Sequence, residues 1–334
     1  MIRSIGARLL LVALPLFAVG LATADAADAK LLRLDVKKGG AYRFGMVLDQ
    51  QMTMELGAMG TQQTENSMNL EYSFNVTDVA DDGTMSIETK YERIGVVVRA
   101  MGNEIIYDTS DEATPGEDNP LSMLDDLIGK KLVFQVTPLG RVVEVQGFGE
   151  LFDEMRTKVA EDPASSNVAA LVEAGFDENA LKTMCQQGLV IFSEKPVGPG
   201  DTWTADLEIS NPAMGAIDAK ATFDVRGPAT RREKKCVELG MSMKMSFGDD
   251  SPLLQQLRDS FAQQGMDANL DWELGEVNSS GTMWVDPDTG LTVDSDTVQN
   301  MQATFTLAMG TGPEAVKFDM KMDLEQKIRV ELLD

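Results

Sequence analysis

Every second residue from Tyr42 to Leu56 reads Tyr, Phe, Met, Leu, Gln, Met, Met, Leu, with Arg43, Asp49, Gln51, Thr53 and Glu55 among the residues between. A period of two marks a half-buried β-strand, because successive side chains point to opposite faces of a sheet. The period recurs along the chain. Met68, Leu70, Tyr72, Phe74 and Val76 share one phase. Met85, Ile87 and Tyr91 begin another strand, whose phase slips near Gly95 so that Ile94, Val96 and Val98 take it over. A β-bulge accounts for such a slip. Leu132, Phe134 and Val136 form a short strand after it. Further on, the same alternation covers Trp203 to Ile209, Ile217 to Val225, Val237 to Phe247 and Leu270 to Leu274. The last strand is the cleanest: Val316, Phe318, Met320, Met322, Leu324, Gln326, Ile328, Val330 and Leu332 alternate with charged residues only.

Other signals punctuate these strands. Gly39-Gly40, Asp81-Asp82-Gly83, Gly102-Asn103, Pro138-Leu139-Gly140 and Asp286-Pro287-Asp288-Thr289-Gly290 carry turn chemistry. A polar connector is predicted over Gly57 to Ser67, and a short helix from Pro120 to Ile128. Helical periodicity runs from about Gly149 to Gln187, and Ser251-Pro252 opens one more helix that reaches Gln264. The fold class is therefore mainly β with some helix. Long antiparallel strands form two similar half-sheets, or one curved sheet or half-barrel, with a helical insert in the middle.

Two stretches of the chain look alike. Gly39 and Tyr42 match Gly200 and Trp203; Phe74 and Val76 match Phe223 and Val225; Val136 and Pro138 match Val285 and Pro287. The last two matches share one offset, which points to an internal duplication. The chain divides into a signal segment over 1–24, a first β half over 30–147, a helical segment over 148–195 and a second β half over 196–334.

Composition adds a compartment. Arg3 and Arg8 precede an apolar run from Leu9 to Leu21, too short to span a bilayer, and Ala22-Thr23-Ala24 offers small residues for cleavage. Export to the periplasm or the extracellular space follows. No later stretch has the length and apolarity of a membrane helix, so an integral membrane protein is not expected. The formal charge is −25, and loss of the two arginines of the signal takes it to −27. Such a chain repels nucleic acid. Two cysteines, Cys185 and Cys236, make one candidate disulfide in an exported protein. Histidine is absent altogether, which removes imidazole bases, Ser-His-Asp and Cys-His nucleophiles and ordinary His-ligated metals.

Three segments carry a resemblance. They are Leu34 with Lys37-Lys38-Gly39 and Tyr42; Gly129-Lys130 followed by Phe134, Val136, Pro138 and Gly140; and Lys195-Pro196-Val197 with Gly200-Asp201 and Trp203. Together they resemble a family of exported bacterial β-rich proteins known only as a domain of unknown function. The resemblance implies a signal peptide and a β fold. It supplies no catalytic residues.

The candidate chemistry lies in the methionines, of which there are 21. Met52 and Met54, Met241, Met243 and Met245, and Met320 and Met322 fall at alternate positions, so each set shares one strand face. Thioethers fill irregular apolar cores and also make deformable surfaces for greasy ligands. A Cu(I) site is the third use, since soft thioethers suit a soft metal, but no metal or cofactor is assigned. The acidic turns lack calcium-loop spacing, and the carboxylate pairs Glu150 with Asp153 and Glu273 with Glu276 define no cleft. The function expected is that of a non-enzymatic exported cell-envelope protein. Its Met-rich sheet face binds an apolar small molecule or lipid, or the protein docks an envelope partner. The alternative is a structural or protein-interaction module with a fully packed core and no ligand.

Overall fold

The computed structural model describes residues 29–55, 60–100, 102–110, 121–147, 182, 186, 189–211, 215–247, 268–275, 277–309 and 316–333. The predicted signal segment and the helix predicted from Ser251 lie outside them. So does most of the predicted helical insert, of which Lys182 and Gln186 are described, both helical.

Thirteen strands form the described structure. They are β1 (Ala41–Glu55), β2 (Thr61–Val79), β3 (Met85–Ala100), β4 (Asn103–Asp108), β5 (Lys131–Val136), β6 (Val142–Gln146) and β7 (Thr202–Asn211). They continue as β8 (Gly215–Arg231), β9 (Lys234–Phe247), β10 (Ala268–Leu274), β11 (Val277–Val285), β12 (Thr292–Met309) and β13 (Val316–Leu332). All belong to one antiparallel sheet in the order β6-β5-β3-β2-β1-β13-β12-β11-β9-β8-β7, with β4 on β3 and β10 on β12. Two separate half-sheets, one of the predicted arrangements, are thus excluded. What merges them is the pairing of β1 with β13, in register from Phe44 opposite Leu332 to Glu55 opposite Lys321. Both strands are long and amphipathic in the same phase. Pairing them satisfies backbone groups that two free edges would leave open.

The sheet curls until its ends approach. Arg141, just before β6, donates to the Asp206 carbonyl on β7 at 3.1 Å. The edges share no ladder, so the sheet is not closed. Two extended segments cross one end of the curl as a plug. In the first, Leu32, Leu34 and Val36 are buried to 3% exposure or less. It hydrogen-bonds to both hairpin turns, through Leu34 N to Pro138 O and Asp35 N to Thr289 O, each 2.9 Å. In the second, Val190, Ile191 and Phe192 are buried, and Phe192 N donates to Leu139 O at 2.9 Å. Arg33 ties the two by donating to the carbonyls of Ser193 and Glu194. From Leu189 onward the segment predicted to be helical over 148–195 is not helical, and Val190 to Phe192 belong to the buried core.

The two stretches that look alike make like contacts. Tyr42 sits opposite Phe74, and Trp203 opposite Phe223. Gly39 N donates to Val76 O as Gly200 N does to Val225 O, both at 2.8 Å. Gly140 and Gly290 each hold positive φ where a plug segment crosses. A methyl group there would strike the carbonyl of Val190 in one case and of Arg33 in the other.

Three local expectations change. The bulge falls at Glu92, since Glu71 pairs with Arg93 while Tyr72 pairs with Tyr91. The helix expected from Pro120 is a 3-10 turn over Ser122–Leu127. The connector expected over 57–67 is strand from Thr61 onward, paired with β1; polar residues on both faces hid its period. Ser295, Thr297 and Gln299 hid the first half of β12 in the same way, while Met301, Ala303, Phe305 and Leu307 alternate through its second half.

Phe44 stacks on Tyr72 at 5.6 Å between ring centroids and meets Phe74 edge-on at 5.8 Å. These rings anchor a packed core beneath β1, β2, β3 and β5. Outside it, Arg93 lies 2.6 Å from Asp108.

Gly290→Ala is expected to destabilise by well over the roughly 1 kcal/mol of left-handed strain alone, because the plug must also shift. Gly39→Ala meets open space and serves as the control. Urea midpoints of the two variants check this. The Arg93 guanidinium, with Ser110 behind it, holds the Asp108 carboxyl well below the usual carboxylate range. A depressed folded value stabilises above the unfolded pKa of about 3.9 and loses that stability as pH falls toward the folded value. Asp108→Asn is expected to cost about 1 kcal/mol at pH 7, and the gap from wild type should narrow steadily below pH 4.

Candidate ligand cavity

The curl is not filled evenly. A cavity of about 1240 Å³ opens on its concave side, walled by β7, β8, β9, β11 and β12, with Ile328 of β13 at its margin. The cause lies in side-chain size. Ala205, Ala219 and Ala221 are buried, inward-facing and small. Ala221 lies opposite both Ala205 and Met243 in register. Alanines at these positions, beside Leu207, Met243 and Met245, leave space that the facing side chains do not reach.

Met241, Met243 and Met245 of β9 all line this cavity. They are half-buried, as adaptable thioethers on a partly open wall should be. Met52 and Met54 of β1 and Met320 and Met322 of β13 form a second group on the same concave face. Met54 pairs with Met322, and Met52 with Leu324. This group is half-buried too but lies beside the cavity rather than in its wall. Met301 links the two groups: it is 4% exposed and stands opposite Leu324.

Polar residues that the hydrophobic pattern passed over also line the cavity: Ser279, Ser295, Thr297 and Gln299. One signal was available, since Gln50 and Gln326 occupy the apolar phase of otherwise clean strands. Among the inward positions of the described strands that face the cavity, none carries a charge; Lys235 takes that phase only at the far start of β9. The charged residues at the cavity, among them Arg141, Lys182, Asp206 and Lys220, stand at the seam between β6 and β7, on the outward phase, or on the helical segment. Gln186 ties the helical segment to the β6 side of this seam, donating to Gly140 O at 2.8 Å and accepting from Val142 N at 3.0 Å. Trp203 Nε1 donates to Ile191 O at 2.8 Å.

Of the cysteines, Cys236 is a buried free thiol whose titration burial pushes up, and Cys185 lies outside the described residues. The carboxylate pairs Glu150 with Asp153 and Glu273 with Glu276 also fall where no side chain is described. The acidic turns serve themselves: Asp82 accepts from Thr84 N, and Asp286 from Asp288 N. Among the described residues no three His, Cys, Asp or Glu side chains group as metal ligands, and no helix is long and apolar enough to cross a membrane.

The profile of a family of unknown function, DUF6263, matches residues 82–292, more than half of the chain. The chain belongs to this family. The match to DUF6263 runs from the turn before β3 to the start of β12, so it takes in the cavity strands β7, β8, β9 and β11. Among curated proteins none matches the sequence. A lipovitellin structure described for its lipid–protein interactions is similar over 89% of this chain and 25% of its own, at 12% identity and a TM-score of 0.43. The chain thus spans about a quarter of the lipovitellin chain. An outer membrane channel from Pseudomonas putida F1 is similar over 89% of this chain and 97% of its own, at 10% identity and a TM-score of 0.18. A β-barrel-like protein of unknown function from Brucella abortus covers 92% and 100%, at 11% identity and a TM-score of 0.18. With TM-scores below 0.5, these likenesses establish neither a common fold nor a common role.

A hollow wall and a packed core respond differently to truncation. Met85, 1% exposed in the packed part, should lose about 2–5 kcal/mol on replacement by alanine. Met243→Ala should lose less than half of that, since one side of Met243 already faces space. Paired urea denaturation of the two variants measures the difference, and equal losses would show the wall to be packed.

Proposed function

We propose that this chain is an exported, non-enzymatic protein of the cell envelope that holds an apolar or amphipathic small molecule, of the lipid class, inside the curled sheet. The cavity carries this reading. Its volume of about 1240 Å³ exceeds the roughly 300–1,000 Å³ usual for small-molecule sites. Its inward wall is built of alanine, methionine, Leu207, Ile217 and Phe223, and burial of an acyl chain against such surface is favoured by about 25 cal/mol per Å². The plug closes one end of the curl, so a ligand enters elsewhere, and the side-chain-bridged seam between β6 and β7 is the site least bound by backbone ladders.

Other features support the same reading. The basic start and apolar run at Leu9–Leu21 fit export. The chain has no histidine, and the Asp and Lys side chains at the cavity stand at its seam, on the outward phase or on the helical segment rather than on the inward wall, which fits a binding role better than general acid–base chemistry. The like contacts of Tyr42–Phe74 and Trp203–Phe223 fit two halves descended from one ancestral unit.

Native mass spectrometry of the full chain, purified without detergent, tests the proposal. A bound species of lipid mass, removed by organic extraction and identified in the extract, is the expected result. A bare polypeptide mass that also fails to take up lipid from vesicles of bacterial phospholipid would overturn it, in favour of a module that works through its outer surface.

A further inference from the structure

One level of the concave face breaks the apolar pattern on several adjacent strands at once. Following the register across the sheet, Asn66 pairs with Gln50, Gln50 with Gln326, Gln326 with Gln299, and Gln299 with Ser279. Beyond Ser279 the row continues through Met243, Ala221 and Ala205. A single rung of the curled sheet thus has an amide wall on β2, β1, β13 and β12, and an apolar wall on β9, β8 and β7. Gln299, Ser279, Met243 and Ala221 of this rung line the cavity.

The amides are not explained by bonding to one another. Neighbours in register stand close enough for side-chain contact. Yet among the described residues no side-chain hydrogen bond joins Gln50, Asn66, Gln299 or Gln326, and Asn66 Oδ1 is buried with no partner. A buried oxygen without a partner is costly, and the three half-buried glutamines beside it are open to partners from water or ligand. On β1 and β13 the positions on either side of the rung are apolar, Leu48 and Ile328 on the plug side and Met52 and Leu324 on the other, whereas β2 stays polar beyond it at Thr64 and β12 stays polar toward the plug at Thr297.

Resting on the ligand-holding role above, we infer that this row is the recognition element of the site. Gln299 in the cavity wall, with Gln326 and Gln50 extending the row beyond its margin, accepts the uncharged hydrogen-bonding group of an amphipathic ligand, an ester carbonyl, amide or hydroxyl, while the hydrocarbon lies against Met243 and Ala221. Each primary amide offers two donors and an acceptor. The row therefore serves a group that both gives and takes hydrogen bonds. It offers no counter-charge, and a charged group placed against it would lose hydration without a paired ion. Selection is thus for neutral polar groups over ions and over plain hydrocarbon.

A sixteen-carbon series tests this: hexadecane, 1-hexadecanol, methyl palmitate and palmitate, each radiolabelled and bound to the delipidated full chain at pH 8. Hexadecanol and methyl palmitate are expected to bind about tenfold more tightly than hexadecane, the worth of one or two net hydrogen bonds, and more tightly than palmitate. In Gln50→Leu/Gln299→Leu/Gln326→Leu the hexadecanol preference should fall to within about twofold of hexadecane, with hexadecane binding kept or improved. The wild-type ranking stands as a test even if that variant does not fold. Equal binding of all four by the wild type, or palmitate binding best, overturns the amide row while leaving the cavity as a ligand site. Binding of none of the four overturns both.

Discussion

A sheet of this width has a large apolar face, and water can be kept from it only if the sheet folds over on itself. That constraint organises the molecule. Pairing of β1 with β13 makes one continuous sheet from the two ends of the chain, and curling brings β6 toward β7. The open end next to Pro138 and Thr289 is then stopped by Leu32, Leu34 and Val36 from one side and Val190 to Phe192 from the other. Gly140 and Gly290 are required there because backbone crosses backbone at the distance of a missing methyl group. Hydrogen bonds from the plug to the turns serve the backbone polar groups that this burial would otherwise strand.

Within the curl, side-chain volume decides between solid and hollow. Beneath β1 to β3, Phe44, Phe74, Leu70 and Ile87 form one buried cluster with Tyr72 packed against it. Beneath β7 to β9, alanines stand where those bulky residues would be needed, and the space stays open. The same backbone geometry thus supports a packed half and a hollow half. Methionines border the opening, where an apolar side chain able to change shape is useful whether or not a ligand is present.

The period-two pattern was a good guide to strands with an unmixed inner face. β1, β5, β8, β9 and β13 fall close to where the alternation places them. The alternation of Met301, Ala303, Phe305 and Leu307 in the second half of β12 was legible as well. The pattern failed at the first seven residues of β2 and along the first half of β12, and both failures have one cause. There the inward positions are polar: Gln62, Thr64 and Asn66 on β2, and Ser295, Thr297 and Gln299 on β12. A strand that is polar on both faces carries no amphipathic signal, and its structure comes from the ladders on either side. Local rules commonly break where a protein does something besides fold, and here the break coincides with the amide row. Gln50 and Gln326 were visible as exceptions, but nothing in the linear chain says that they stand side by side.

The chain alone determined the β character, the phase of most strands, the turns and the absence of imidazole chemistry, because each depends on neighbours within a few residues. Tertiary structure decided the rest. That the strands make one sheet and not two depends on the register between β1 and β13, at opposite ends of the sequence. Which methionines wall a cavity depends on the alanines across from them, and the alignment of four amides depends on three successive ladders. These are long-range pairings, whose energies come from contacts that no local window of sequence contains.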